Sequence, residues 1–544
     1  MGFFVTCCSR MFTHSIYRKW LPFFSIAIVY ALGANIDIME VDAAQYANIA
    51  REMLASERWL EVHDRNQDYL DKPPLLFWLS ALSFKLFGLG NWQYKLPSIL
   101  FSLLGLFSTY RLGNLLYGKQ VANYSVVILG SSLAMIIMNN DVKTDTILVS
   151  SIVFSTWMLV SAIKTNSWKY YICSALGIAM AMLTKGPIGL MMPLLAIGGH
   201  ALLKREWKVI FNPKWLASIV IILMALIPMC IGLLKQHGSE GIRFYFWTQS
   251  FGRITGESVW QNDSTPFYFF HEFAWSFLPW SILGGIALFR ELSKLPKKLS
   301  DDGTELYLIS GVALVWFGLS FSHFKLPHYI FVVYPFVAIL TAKHITFFKR
   351  TTFVAWIQLF VSILGASMFV LLLYYCFPSS NKLYSVFMAL LMTIAILLFL
   401  NTYRSAQVIW PSFVMSIGLG FGLNLVFYPQ ILQYQANSQV GKWVVENHVP
   451  HGQFIGFSTG GRSLDFYSNR TVPWKLDALS TISSIEPGVV VYAREDLRNV
   501  LIERGYPPRK EIPFDNYSVQ NLKPEFLDPK KRDSILRTNY LMIY

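Results

Sequence analysis

Apolar runs long enough to cross a bilayer recur from the start of the chain to about residue 430, separated by short polar turns. They fall at 18–36, 96–117, 120–139, 146–163, 169–184, 187–203, 215–234, 267–289, 305–322, 328–347, 352–376, 383–401 and 407–428. This pattern predicts a polytopic α-helical membrane protein with about thirteen transmembrane helices. No cleaved signal peptide is recognisable, so the first run is expected to stay as an anchor.

Two polar stretches interrupt the runs. In 37–95, "QYANIAREMLASERWL" and "PPLLFWLSALSFKLFG" carry apolar positions at helical spacing, which predicts interfacial helices rather than spans. The second stretch is 235–266. Past residue 430 the period changes. "GQFIGFST" and "GVVVYAR" read as strands, "SQVGKWVVENH" and "REDLRNVLIERG" as helices. A small α/β domain over 431–544 is therefore expected behind a membrane domain over 1–430. It has no Gly-rich phosphate loop and no nucleophile signature, so a lid or docking module is the expectation.

Composition supports the membrane reading. Of 544 residues, 54% are hydrophobic and only 14% charged, with 16% aromatic; a soluble domain carries about a quarter charged. Mean hydropathy is +0.42. The net charge of +14 would suggest nucleic acid in a soluble protein. Here the excess sits between apolar runs, at Arg18-Lys19, Lys204-Arg205, Lys294 with Lys297-Lys298, and Lys349-Arg350. That bias marks a cytoplasmic side and excludes nucleic acid as the partner. With the N-terminus cytoplasmic, alternation places Lys119, Lys164, Lys204, Arg290, Lys349 and Arg404 in or beside cytoplasmic turns. An odd span count then sends 429–544 outside. Of the five cysteines, Cys173, Cys230 and Cys376 lie in apolar runs, and no CxxC spacing occurs. "MGFFVT" ahead of Cys7-Cys8 matches a short myristoylation pattern that matters only in a eukaryote.

Ionisable residues cluster where the chain leaves the membrane on the outer side. "NIDIMEVDAAQY" follows the first run and holds Asp37, Glu40 and Asp42. "YLDKPPL" holds Asp71 and Lys72; "NNDVKTDTI" holds Asp141, Lys143 and Asp145; "MLTKGPIG" holds Lys185. "FGRITGE" holds Arg253 and Glu257, and "SHFKLPHY" holds His323, Lys325, His328 and Tyr329. Any one of these alone is an interfacial charge in water. Together, Asp42 and Asp145 suit acid/base work, while Lys72, Lys185, Lys325 and Arg253 suit an anion such as phosphate. Carboxylates beside cations at the mouth of an apolar bundle fit a substrate with a charged head and a lipid tail. In "KGP", Gly186 and Pro187 end one helix and begin the next, which fixes Lys185 at the mouth. Asp37 and Glu40 read as a solvated helix exit.

Six motifs in order carry a resemblance. "D-x-x-x-Y" at Asp42 and Tyr46, "YLDKPPLLFW", "TDTIL", "MLTKGPIGLMMP", "FWTQSFGRITG" and "FKLPHYIFVVYP" resemble the bacterial 4-amino-4-deoxy-L-arabinose lipid A transferases, within the protein O-mannosyltransferase superfamily. The resemblance implies a GT-C fold and transfer of a sugar from a polyprenyl (undecaprenyl) phosphate carrier to an acceptor at the outer face of a bacterial inner membrane. It implies a catalytic role for Asp42 and Asp145. Lys72, Lys185 and Arg253 would bind the donor phosphate, and Tyr46, Asp71, Lys325 and Tyr329 the substrates. The acceptor would be lipid A or another envelope glycan or protein.

Two departures qualify this. "DAAQY" stands where the lipid A enzymes tend to have "DETRY". Ser250 stands where those enzymes carry a histidine that can join a first-loop acid at a metal ion. No cofactor is required for transfer, and a divalent metal near Asp71 loses one expected ligand. Two other classes remain. A transporter of an anionic lipid would share the basic mouth, but would place its site near the midplane in repeated halves. A structural scaffold gives no reason for six ordered motifs.

Overall fold

A computed structural model describes residues 17–249, 252, 264–296, 303–347, 351–378 and 382–544. Cys7 and Cys8, the "MGFFVT" pattern, Ser250, Arg253, Glu257, Lys297-Lys298 and Lys349-Arg350 lie outside them. Every predicted apolar run falls on a helix or a broken pair of helices. Among the described residues, seven helices are long and apolar enough to cross a membrane, eight if one bent pair is a single span. Trp20–Ala34, Leu75–Phe87, Ile188–Leu203 and Leu306–Ser320 are shorter apolar helices. The chain is a multi-pass membrane protein; the count of thirteen spans does not follow from helix length alone.

The first part of the bundle positions the site. In chain order it contains α1 (Tyr17–Ala34), α2 (Asp42–Ser56), α3 (Leu75–Phe87), α4 (Asn91–Tyr117), α5 (Lys119–Gly130), α6 (Leu133–Asn140), α7 (Asp145–Thr165), α8 (Trp168–Lys185) and α9 (Ile188–Leu203). The two helices expected in 37–95 are α2 and α3. Lys95 of α4 is fully buried and donates to the carbonyls of Gly33, at 3.0 Å, and Ile36, at 2.8 Å. It thereby satisfies carbonyls left open where α1 ends.

Helices α5 and α6 form the bent pair, at 52°. The break lies at Ser131-Ser132, whose hydroxyls turn back onto the Val127 and Leu129 carbonyls. Neighbouring elements satisfy the freed backbone: Leu133 N donates to Leu278 O at 3.0 Å, and Ser416 Oγ to Ser131 O. A break inside an apolar bundle needs such partners. Gly186 ends α8 with φ +81°, and Pro187 sits at the cap position of α9. A Cβ on Gly189 would lie 2.5 Å from the Ala181 carbonyl carbon, so the close crossing of α8 and α9 requires glycine there.

One boundary differs from expectation. The helix beginning at Lys214 runs on to Arg243, bent at Gly238 (φ +59°), so the second polar stretch begins inside a helix and the loop starts later than residue 235. Its last turns are polar, and an apolar run cannot reveal them.

The C-terminal part is a five-stranded sheet with flanking helices. Strands β1 (His63–Asp64) and β2 (Gln67–Asp68) form a separate hairpin in the first loop. The sheet contains β3 (Phe454–Phe457), β4 (Trp474–Lys475), β5 (Val490–Arg494), β6 (Lys510–Asn516) and β7 (Arg537–Ile543), in the order β4-β3-β5-β7-β6. The β4-β3 and β3-β5 pairs are parallel, while β7 pairs antiparallel with both β5 and β6. The expected strands are β3 and β5, and the expected helices are Ala436–Glu446 and Glu495–Glu503.

This domain sits on the first loop through charges expected to be solvated. Lys442 Nζ lies 2.6 Å from Asp37 Oδ2, and Glu40 accepts from Asn437 Nδ2 at 3.2 Å and Ser463 N at 3.1 Å. Asp37 and Glu40 are thus docking groups. In the β1-β2 hairpin, Asp64 pairs with Arg462 at 2.9 Å. Arg65 contacts Asp465 and stacks on Trp474 at 3.8 Å.

Candidate active site

Asp42, Tyr46, Asp71, Lys72, Asp145, Lys185 and Tyr329 line one polar cavity with an open volume of about 610 Å³. It lies where α2, the "DKPP" turn, the α6–α7 turn, the α8–α9 turn and the 3-10 turn Pro327–Val333 converge. Asp42 opens α2. Ala44 N donates to Met39 O at 3.0 Å and Gln45 N to Val41 O at 3.1 Å, so the strap before Asp42 is hydrogen-bonded into the helix's first turn.

The two aspartates differ in accessibility. The Asp42 side chain is 42% exposed, with Lys143 Nζ 3.5 Å away. The Asp145 side chain is 3% exposed. Lys185 Nζ lies 2.6 Å from Asp145 Oδ1, and His328 Nε2 lies 3.6 Å from Oδ2. The Lys185 ammonium also sits 4.4 Å from the Tyr329 ring centroid, within cation–π range. A carboxylate so enclosed cannot readily meet a substrate, whereas Asp42 can.

Lys72 Nζ is 2.9 Å from Asp71 Oδ2. Gln249 Nε2 donates to the Asp71 carbonyl and lies 3.3 Å from Oδ1. Both carboxylate oxygens of Asp71 thus have protein partners. Among the described residues, no group of three His, Cys, Asp or Glu is placed to hold a metal ion.

Tyr46 is buried against Phe77, with ring centroids 5.7 Å apart. Burial, reinforced by Tyr69 and the surrounding carboxylates, pushes its phenol well above the ordinary value. It therefore stays protonated and can act only as a neutral hydrogen-bonding group. Burial also raises Asp141, and the ammonium of Lys143, 3.3 Å away, only partly offsets this.

Lys325 is not brought to the cavity. Phe324 and Leu326 line it, while Lys325 Nζ donates to Ser264 O at 2.9 Å. The chain is extended at Leu326, and alternation in extended chain turns Lys325 to the other side. Arg253 lies outside the described residues. Lys143, Thr144 and His328 line the cavity without having been assigned to it. The signal was available: Lys143 is two residues before Asp145, and His328 directly precedes Tyr329.

A second, apolar groove of about 970 Å³ adjoins the first. Leu148, Ile188, Met191, Leu195, Leu314, Val315, Leu319 and Val332 line it. Lys72, Lys185 and Tyr329 belong to both linings and form the shared wall.

The fold is that of the GT-C class of membrane proteins. The particular similarities are these. The chain shares its fold with ArnT from Cupriavidus metallidurans bound to undecaprenyl phosphate, at TM-score 0.72 and 19% identity, covering 90% of this chain and 95% of that one. The apo state of the same protein matches equally well. The family model for dolichyl-phosphate-mannose-protein mannosyltransferases matches residues 71–231. An undecaprenyl phosphate-alpha-4-amino-4-deoxy-L-arabinose arabinosyl transferase of Edwardsiella ictaluri is 26% identical over 345 residues, 60% of each chain. Its namesake from Enterobacter sp. is 27% identical over 321 residues, 57% of this chain and 56% of its own. The match thus spans less than two thirds of those relatives' length. The resemblance expected from the six motifs is borne out, and so is the fold.

Proposed function

We propose that this chain is an inverting glycosyltransferase. It moves a sugar from undecaprenyl phosphate, or a related polyprenyl phosphate, to lipid A or another envelope acceptor at the periplasmic face of a bacterial inner membrane. The observation that carries this is the shared wall. An apolar groove that adjoins a charged cavity along Lys72 and Lys185 suits a molecule with a prenyl tail, a phosphate and a sugar. The names of the relatives and the ligand of the solved ArnT support the same reading.

The tail lies in the groove and the phosphate against Lys72, with Arg253 as the further cation expected from the sequence. These cations stabilise charge as the bond between the sugar's anomeric carbon and the phosphate oxygen breaks. The bond to the acceptor oxygen forms from the opposite face, and polyprenyl phosphate leaves. Asp42, exposed to the cavity, takes the proton of a hydroxyl acceptor or, for an ionised phosphate acceptor, positions the sugar. Asp145 holds Lys185 in place. Tyr46, kept neutral and hydrogen-bonded to Tyr69, lines the cavity near Asp42.

The test is transfer from a labelled undecaprenyl phosphate sugar in proteoliposomes, scored beside lipid translocation. Asp42→Asn and Lys72→Ala are expected to lower transfer by about a hundredfold. Unchanged transfer in both variants, or translocation without transfer, rejects the reading. Mass spectrometry of lipid A with and without the gene identifies or excludes that acceptor.

A further inference from the structure

Residues 37–41, between the end of α1 and Asp42, form a strap that the C-terminal domain holds at three positions. Lys442 pairs with Asp37. Ile38 N donates to Tyr467 Oη at 2.7 Å, and Gln435 Nε2 donates to Ile38 O at 3.0 Å. The same Gln435 side chain accepts from Glu40 N at 2.9 Å, so one amide clamps two backbone groups of the strap.

The Glu40 carboxylate is seated in a built pocket. Its Oε1 accepts from Ser463 N, Ser463 Oγ and Asn437 Nδ2. A Cβ added to Gly461 would fall 2.4 Å from that oxygen and 3.0 Å from Oε2. Gly461 has extended backbone, so space rather than conformation demands glycine here. Gln435 and Ser438 are themselves buried. Surface docking would not need a buried amide and a fitted carboxylate within two residues of Asp42.

We propose that the C-terminal domain sets the position of Asp42, with Glu40 and Gln435 as positioning residues for the transfer reaction. This rests on the proposed function. The strap's backbone is fixed at Ile38 and Glu40 by the domain, and at Met39 and Val41 by the first turn of α2. Releasing Glu40 therefore frees the entry to α2 and moves its first residue. Small misplacement of a reacting group is enough to cost about a hundredfold in rate.

The experiment uses the full chain in detergent or nanodiscs, with Glu40→Ala, Glu40→Gln, Gln435→Ala and Gly461→Ala beside Asp42→Asn. Hydrogen exchange over residues 36–48, with no donor present, reads the strap directly. Glu40→Ala, Gln435→Ala and Gly461→Ala are expected to speed exchange there, with the rest of the bundle unchanged. With donor, they lower kcat by about tenfold or more while KM for the donor moves less than about threefold. Glu40→Gln keeps an acceptor oxygen and stays within about threefold of wild type. Wild-type exchange in the three variants overturns the inference. So does a wild-type kcat, or a kcat loss that only follows the loss of thermal stability. If Asp42→Asn transfers normally, the role of Asp42 in the proposed function fails instead, and the exchange data still decide whether the domain holds the strap.

Discussion

Lys185 and Asp145 stand 40 positions apart in the chain and meet at 2.6 Å, with the carboxylate almost wholly shielded from solvent. Breaking a buried pair on one side leaves an uncompensated charge and costs roughly 3–5 kcal/mol, whereas replacing both partners costs far less. Lys185→Ala is therefore expected to destabilise the protein more than the Asp145→Asn/Lys185→Gln double variant does. The double variant should melt near wild type and still transfer poorly, because Lys185 also lines the groove. Thermal unfolding in detergent, read beside transfer, checks this. Equal melting of the two variants counts against the pair.

The apolar groove makes a separate prediction about chain length. Gly318 lines it, and a Cβ placed on it would meet no atom within 4 Å, so a larger side chain projects into the space a prenyl tail would fill. Gly318→Phe should raise KM about tenfold for a long-chain donor, the cost of about 1.4 kcal/mol of lost apolar contact. A donor with only two or three prenyl units should be little affected. Equal effects on both donors would place the tail elsewhere.

Much of this site was legible because its signals are local. "KGP" encodes a helix stop and a helix start, and that turn carries Lys185 to the cavity. Every apolar run falls on a helix or a broken pair of helices, and β3 and β5 show as short apolar segments. Partners far apart in sequence left no such mark. Asp37 meets Lys442 across 405 positions, and Glu40 meets Ser463 across 423. Nothing near either acid announces these contacts, so a solvated exit was the natural reading. Strand β6 escaped notice because "KEIPFDN" is a half-exposed edge strand that contains a proline. The motif predicts Lys325 at the site, but the extended backbone at Leu326 decides which side it faces, and no local signal marks that.

Asp71 bears on metal dependence. Its carboxylate already meets the Lys72 ammonium at 2.9 Å and the Gln249 amide at 3.3 Å. Ser250 replaces the histidine expected in the lipid A enzymes. Transfer should therefore keep at least about half its rate after exhaustive chelation and dialysis, since no step in the proposed mechanism needs a Lewis acid. A rate that collapses on chelation and returns with one divalent ion would contradict this.

The docking of the C-terminal domain should depend on pH through Asp465. Arg65 contacts its carboxylate, and Val472 N donates to Oδ1 at 2.9 Å. Burial nevertheless outweighs these partners and pushes Asp465 up to about 6, from 3.8. A carboxyl whose folded value is raised takes up a proton on folding between those two values. Its contribution to stability is complete below about pH 3.8 and is lost as pH rises through about 6. A shift of this size corresponds to on the order of 3 kcal/mol. Asp465→Asn keeps the shape and removes the titration. The difference in unfolding temperature between wild type and Asp465→Asn should therefore change steadily from pH 4 to pH 7, with the variant gaining relative to wild type as pH rises. Since Arg65 sits in the first loop and Asp465 in the sheet domain, the same trend should appear in hydrogen exchange of the β1-β2 hairpin. A difference that is flat with pH in both measurements would show that Arg65 compensates the buried charge in full.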